Sequence, residues 1–396
     1  MRTTTYCYPW DLARLGVEAT LDRIAGEGFD AIDLASTYHP IDALSPRGGL
    51  NLFSDARGAV HFPARAERYG RIKPQVHSAE IAAAWPRAAE HAARIGLALN
   101  SWTITLYQPW IRDLYPDCAR VLPSGQATGS GVCAANDDVR EYLPALCADL
   151  FEQCGVEIFR LEAILPYSAD FDWLRPRVMV AIPPFARTLS NMCFCSVCTA
   201  HGEAAGLDVT RIRQNIVGAT SSAIAAGSDD ADRAAELAAD AELTAFAENH
   251  ARASIELVRL IDERLRGKSC LATNVGTPYR ALLGEERDDA IIGDFIEAVG
   301  QIDLSPADPG ENRRVAALNA ARTAPRELST LCIVSRGPVP TVASAAQRVS
   351  ARGGAVKDVQ EEAGLGVREF TLYNYGLITD EEVRIFRDAI GRLQPA

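Results

Sequence analysis

The sequence predicts one α/β domain, a (β/α)8 TIM barrel. Short β-rich runs alternate with amphipathic helical stretches along the whole chain, and the runs number eight. Neither GxGxxG after the first run nor GxxxxGK[ST] occurs, so a nucleotide-binding open sheet has no sequence support. With 396 residues the chain is long for one domain, but barrels reach this size through loop insertions.

Thr3–Trp10 (TTTYCYPW) reads as the first strand. Val17–Gly28 has apolar residues at helical spacing and a terminal glycine. Asp30–Thr37 is the second strand, and a Pro-, Gly- and Arg-rich loop runs from there to about Val76. Ala79–Ile95 is a helix, Ala98–Leu106 the third strand, Asp137–Cys154 a helix and Val156–Ile164 the fourth strand. An insertion of about 167–266 follows, with clustered cysteines and an Ala-rich acidic helical segment, Asp229–Leu265. No linker isolates it, so 1–396 reads as a single domain. Cys270–Asn274, Gln301–Leu304, Leu331–Ser335 and Glu369–Tyr373 complete the eight strands, and the helix Asp380–Leu393 closes the chain.

Hydrophobic residues make up 48%, enough for a sizeable core, and the net charge is −12. Nucleic acids and membrane surfaces are themselves negative, so neither is expected as a partner. No apolar run approaches the roughly 18–20 residues that span a bilayer. The start, MRTTTYCYPWDLARLG, lacks the pattern of a signal peptide, and the expected compartment is the cytoplasm. There the ten cysteines are expected to be free thiols. Cys7, Cys147, Cys154, Cys270 and Cys332 stand alone and read as small buried hydrophobes.

Three cysteines are different. In MCFCSVCT, Cys193, Cys195 and Cys198 have a C-x-C-x-x-C spacing just before a helix, so three thiols can converge on one ion. Zinc, tetrahedral and thiolate-loving, is the expected metal. This run resembles that of family 42 glycoside hydrolases, the β-galactosidase type. In that family a fourth zinc cysteine precedes the run, in a segment Cys-Pro-Asn-x-x-x-x-x-Tyr. The segment from Cys133 to Tyr142, CAANDDVREY, is similar: it lacks the proline, but the spacing of its Asn and Tyr is close. The resemblance therefore implies Cys133 as the fourth ligand, ahead of Cys118, Cys147 or His201, and a closed structural site. YCYPWDL, VCAANDDVREY, CFCSVC and LYNYGL also resemble, in order, segments of bacterial glycoside-hydrolase-like barrel proteins.

Barrel active sites lie at the C-terminal ends of the strands. There the sequence places Tyr8 and Trp10, then Asp33, Tyr38 and His39, then Asn100 and Trp102, then Arg160 and Glu162. The later strands add Asn274, Asp303, Ser335, Arg336, Tyr373, Asn374 and Tyr375. Aromatic faces pack on the C–H side of a sugar ring while Asn, Arg and carboxylates bond its hydroxyls, so a sugar-like substrate is expected. Its contacts are assigned to Trp10, His39, Asn100, Trp102, Arg160, Asn274, Tyr373 and Asn374. His39 also suits a catalytic base.

Glu162 ends the apolar strand FRLEAI, where the resemblance implies the general acid, a role that needs a raised pKa. Relatives of this kind carry a second carboxylate at the end of strand seven. LSTLCIVSRG has no acid there, and Glu327 lies at the opposite end. Asp303 and Asp33 are the substitutes. Asp170, Asp172, Trp173 and Arg175 could reach a ligand from the loop after strand four. Two other readings stand beside a glycoside hydrolase. One is a sugar isomerase, epimerase or other small-molecule biosynthetic enzyme, for which GVEATLDRIAGEGFDAIDLA has the rhythm. The other is a non-catalytic carbohydrate-binding barrel, in keeping with the missing strand-seven acid.

Overall fold

A computed structural model of the protein describes residues 1–164, 180, 182–271, 278–303, 318–319, 321, 326–334, 349–350 and 354–393. Eight parallel strands form a closed barrel: β1 (Arg2–Cys7), β2 (Ala31–Tyr38), β3 (Ala98–Ile104), β4 (Phe159–Glu162), β5 (Ser269–Leu271), β6 (Gln301–Asp303), β7 (Glu327–Val334) and β8 (Glu369–Tyr373). Each pairs with the next in parallel, and β8 pairs back with β1 through Thr3↔Phe370 and Thr5↔Leu372. Closure leaves no barrel edge unpaired.

The elements follow their sequence signals, with differences at punctuation residues. The first strand ends at Cys7, not Trp10, because Pro9 opens a helix, Pro9–Leu15. Proline's fixed φ suits a first helical position and its missing N–H costs nothing there. The segment Ala79–Ile95 is two helices, Ala79–Ala82 and Ala84–Ile95, and the second stops at Gly96 in the left-handed region (φ 73°). Asp137–Cys154 has the predicted bounds. Asn136 accepts from the Asp138 and Val139 N–H groups at its start, and Gly155 ends it. The acidic helical segment is split into Ala231–Ala238 and Ala241–Leu265, each capped by an aspartate, Asp230 and Asp240. The longer helix packs against Asp137–Cys154 and Glu285–Glu297, in the outer ring of the barrel.

The predicted loop before Val76 holds a hairpin, Ile41–Ser45 with Asn51–Asp55, and a short strand, Ala59–Val60, antiparallel to the end of β2. The hairpin's Ala43 and Phe53 join the aromatic cluster at the barrel mouth. Outside the strands, one continuous apolar core fills the space under the helices, with Leu21, Ile24, Trp85, Leu146, Phe246, Val258, Phe295, Phe370 and Phe386 among its members.

The inside of the barrel is polar. Arg160 on β4 is fully buried. Its Nε donates to Asp33 of β2 at 2.7 Å, its Nη2 to Glu369 of β8, and its Nη1 to Ser329 of β7 at 3.2 Å. Asp303 of β6 lies 3.9 Å away. Asn100 of β3 and Thr4 of β1 donate to Asp33 in turn. One cation thus ties strands from both halves of the barrel. Removing it would strand buried carboxylates. Arg160→Met is expected to lower unfolding stability by about 3–5 kcal/mol, read as the midpoint of urea unfolding. A loss under about 1 kcal/mol would show that the strands hold register without it.

Candidate active site and cysteine cluster

Residues of one β-strand alternate between two faces. On β1 this sends Thr4 inward, followed by Tyr6 and, just past the strand, Tyr8. On β3 it sends Asn100 and Trp102 inward, and on β4 Arg160 and Glu162. Register sets heights: Trp102 pairs with Arg160 and Ile104 with Glu162. Glu162 therefore stands one layer above the buried ion cluster, at the C-terminal mouth.

The mouth is aromatic. Trp102 meets Tyr6 edge to face at 4.6 Å and Tyr38 at 4.8 Å, and lies 5.5 Å from Tyr8. The hydroxyl of Tyr8 donates to that of Tyr38 at 3.1 Å and lies 3.3 Å from that of Tyr373. The indole N–H of Trp102 donates to the Glu162 carboxylate at 2.6 Å. Burial pushes the Glu162 carboxyl up to about 7; the Trp102 hydrogen bond opposes this, and the negative charge of Asp303 adds to it. Burial likewise holds the phenols of Tyr6, Tyr8 and Tyr38 well above their ordinary range, so these remain neutral donors. A carboxyl that titrates near neutrality can give or take a proton at working pH.

The other nominated residues are distributed as follows. Asp303 is buried on β6 within electrostatic range of Glu162 and Arg160. Asp33, Asn100 and Arg160 sit together in the layer below, bonded to one another. Trp10 is buried between Tyr8 and Phe53, with ring centroids 4.1 and 4.0 Å away. His39 lies over Tyr38 and Tyr107, and its Nδ1–H donates to the Pro40 carbonyl at 2.7 Å. Tyr373 is half-buried at the mouth. Asn374 is buried and accepts from the Gly376 N–H at 3.0 Å, capping the turn Tyr375–Leu377. Asn274, Ser335, Arg336, Asp170, Asp172, Trp173 and Arg175 lie outside the described residues. Glu327 opens β7 at its N-terminal end, away from the mouth.

Sequence reasoning missed Tyr6 and Glu369, although the period of two from Tyr8 and from Tyr373 points to both. It also missed Phe53 and His61. His61 is fully buried beside Trp10 and His77. Neither of its ring nitrogens has a partner among the described residues, and burial pushes its pKa down to about 3.

Away from the mouth, Cys133, Cys193, Cys195 and Cys198 bring their four sulfurs within 4.8 Å of one another, all buried. The Cys133 and Cys198 sulfurs are 3.4 Å apart, too far for a disulfide. Four thiolates about 2.3 Å from a tetrahedral ion would be spaced about 3.8 Å, so the cluster could hold a metal with little adjustment. Cys118, Cys147 and His201 are not in it. The thiol of Cys118 faces Asn136, Cys147 lies in the apolar core, and His201 is exposed. The turn is held from both sides: Phe194 N–H donates to the Val121 carbonyl at 2.8 Å, and Cys193 N–H to His250 Nε2 at 3.0 Å.

No family model and no curated protein matches the sequence. Solved structures do match the fold. The α-L-fucosidase isoenzyme 2 of Paenibacillus thiaminolyticus superposes with a TM-score of 0.59 at 10% identity, over 99% of this chain and 49% of that one. The β-galactosidase of the psychrophilic Marinomonas ef1 gives 0.52 at 11%, over 99% and 60%. The chain thus spans half to three fifths of these proteins, and the likeness is one of fold.

The raised carboxyl has a consequence for stability. The folded state binds the Glu162 proton more tightly than the unfolded chain does. This stabilisation is complete below about pH 4.5 and is lost as pH rises through about 7. Glu162→Gln mimics the protonated form. At pH 8 it is expected to melt a few degrees above the wild type, and at pH 5 level with it, by differential scanning fluorimetry.

Proposed function

We propose that the protein is a glycoside-hydrolase-like enzyme whose general acid is Glu162. One observation carries the reading: a carboxyl at the C-terminal end of β4, titrating near 7, stands in a mouth built from Trp102, Tyr6, Tyr8, Tyr38 and Tyr373. Such a carboxyl can protonate a leaving oxygen at neutral pH, and aromatic faces offer platforms for sugar rings. The two neighbours are named for fucosides and galactosides and set the same barrel in that context.

Asp303 is the second acid in this reading. It lies on another strand, and its charge reaches Glu162. Acting as a base on water, it would give an inverting displacement, the geometry in which the two carboxyls leave room for that water. Asp33 serves Arg160 instead, because its carboxylate already accepts from Arg160, Asn100 and Thr4. Trp102 positions the acid, and Tyr373, Trp102 and His39 face the ligand. The four cysteines hold a structural zinc. Four thiolates complete a tetrahedron and leave no open position for chemistry.

Hydrolysis of a panel of nitrophenyl glycosides tests the enzyme. Wild-type turnover is expected to decline as pH rises through about 7, and Glu162→Gln to lower kcat by about 10²–10⁴ on substrates that need acid assistance. Sugar binding without turnover on any glycoside would leave a carbohydrate-binding barrel, and would sink the hydrolase reading. The metal is tested by elemental analysis of purified protein. One zinc per chain is expected, lost in Cys133→Ser and Cys195→Ser with a lower melting temperature. A full complement in both variants would rule out the four-cysteine site.

A further inference from the structure

A zinc ion with four thiolates carries a net charge of −2, and burying such a dianion is unfavourable unless a cation lies beside it. The protein places one there. Arg120 is the middle residue of the strand Ala119–Val121, which pairs with Ala127–Val132. Cys133 directly follows the partner strand, and its N–H donates to the Cys118 carbonyl at 2.9 Å. Val121, the next residue, receives the N–H of Phe194 from the cysteine turn. Arg120 is thus clasped between the two segments that supply the sulfurs.

Its side chain is only 3% exposed. Nη2 donates to the carbonyl of Asn191, just before the turn, while Nη1 is buried with no hydrogen-bond partner among the described residues. Burial disfavours its charge, and the Tyr279 phenol and the thiols of Cys193, Cys133 and Cys198 lie within electrostatic range of it. A buried guanidinium cannot shed its proton, so it needs an anion. Neutral thiols do not supply one; metal-bound thiolates do. His250, which reaches the turn from the helix Ala241–Leu265, is fixed by Phe246 and Cys193 main-chain groups and contributes hydrogen bonds in place of charge.

We propose that Arg120 is the charge-compensating positioning residue of the four-cysteine metal centre, an inference that rests on the zinc reading above. It also gives a reason for an otherwise unbalanced cation in the interior: protein and metal each satisfy the charge the other leaves.

The test compares Arg120→Gln, which keeps hydrogen-bond donors but no charge, with Arg120→Lys, which keeps the charge. Zinc release from the purified zinc-loaded proteins is titrated with a chromogenic chelator. Arg120→Gln is expected to hold zinc about 10–100-fold more weakly, and Arg120→Lys to stay within a few-fold of wild type. A second cycle adds Cys195→His, which removes one negative charge from the ligand set. The cost of Arg120→Gln should shrink several-fold in that background, a coupling that a purely structural arginine would not show. If Arg120→Gln does not accumulate as folded protein, its recovery in the Cys195→His background carries the same inference. Equal zinc retention in Arg120→Gln and wild type overturns the proposal, as does equal loss in the Gln and Lys variants, or misfolding of Arg120→Gln in both backgrounds. Wild-type protein that holds no zinc would instead overturn the zinc reading itself.

Discussion

The barrel is organised around one buried cation. Arg160 satisfies carboxylates from β2 and β8, lies near a third from β6, and bonds a hydroxyl from β7. Barrel interiors are ordinarily layers of branched aliphatic side chains, which tolerate substitution because dispersion has little direction. Here the layer is ionic and hydrogen-bonded. Directional bonds accept one register only, so the polar layer fixes how the strands slide relative to one another. Glu162 lies two residues beyond Arg160 on the same short strand. Its height at the mouth therefore follows from the seating of Arg160.

The same network shapes the electrostatics above it. Asp33 and Asp303 flank Arg160, and Glu369 is shared between Arg160 and the partly exposed Arg2 at 3.3 Å, so three carboxylates face two arginines, only one of them fully buried. Glu162 stands over that surplus, beside aromatic rings, and among the described residues the Trp102 indole N–H is the side-chain donor to its carboxylate. Desolvation and a neighbouring carboxylate both favour the protonated form. The aromatic wall is a low-dielectric enclosure for this carboxyl.

The cysteine cluster answers a different demand. Residues 193–198 follow a long excursion from β4, with Met192 and Phe194 seated in the apolar core under the helices. The cluster joins it to the hairpin that precedes the helix Asp137–Cys154, while His250 ties it to the helix Ala241–Leu265. Three parts of the chain distant in sequence are thus fastened at one point, where closing long loops by weak contacts alone would cost the most entropy.

Much of this was legible in the residues themselves. The alternation of β-rich and amphipathic runs fixed the barrel class, and the bounds of Asp137–Cys154 and of β8 follow from local signals, an asparagine cap and a compact β-branched and aromatic run. The C-x-C-x-x-C spacing is local chemistry and pointed to three of the sulfurs; the fourth, Cys133, came from a resemblance, because nothing local brings residue 133 to residue 193. Glu162 was legible as an acid at the end of a strand. Its neighbours were not, since Asp33, Asn100 and Arg160 look like mouth residues when only strand position is read. Whether a residue lies in the polar layer or above it depends on the stagger of adjacent strands, and stagger is set by hydrogen-bond register between segments that can be more than a hundred residues apart, such as those of Arg160 and Cys270. The sequence by itself determined which elements form and which side chains alternate inward. Only the tertiary structure decided which charges meet, because burial and pairing are properties of closed space, not of order along the chain.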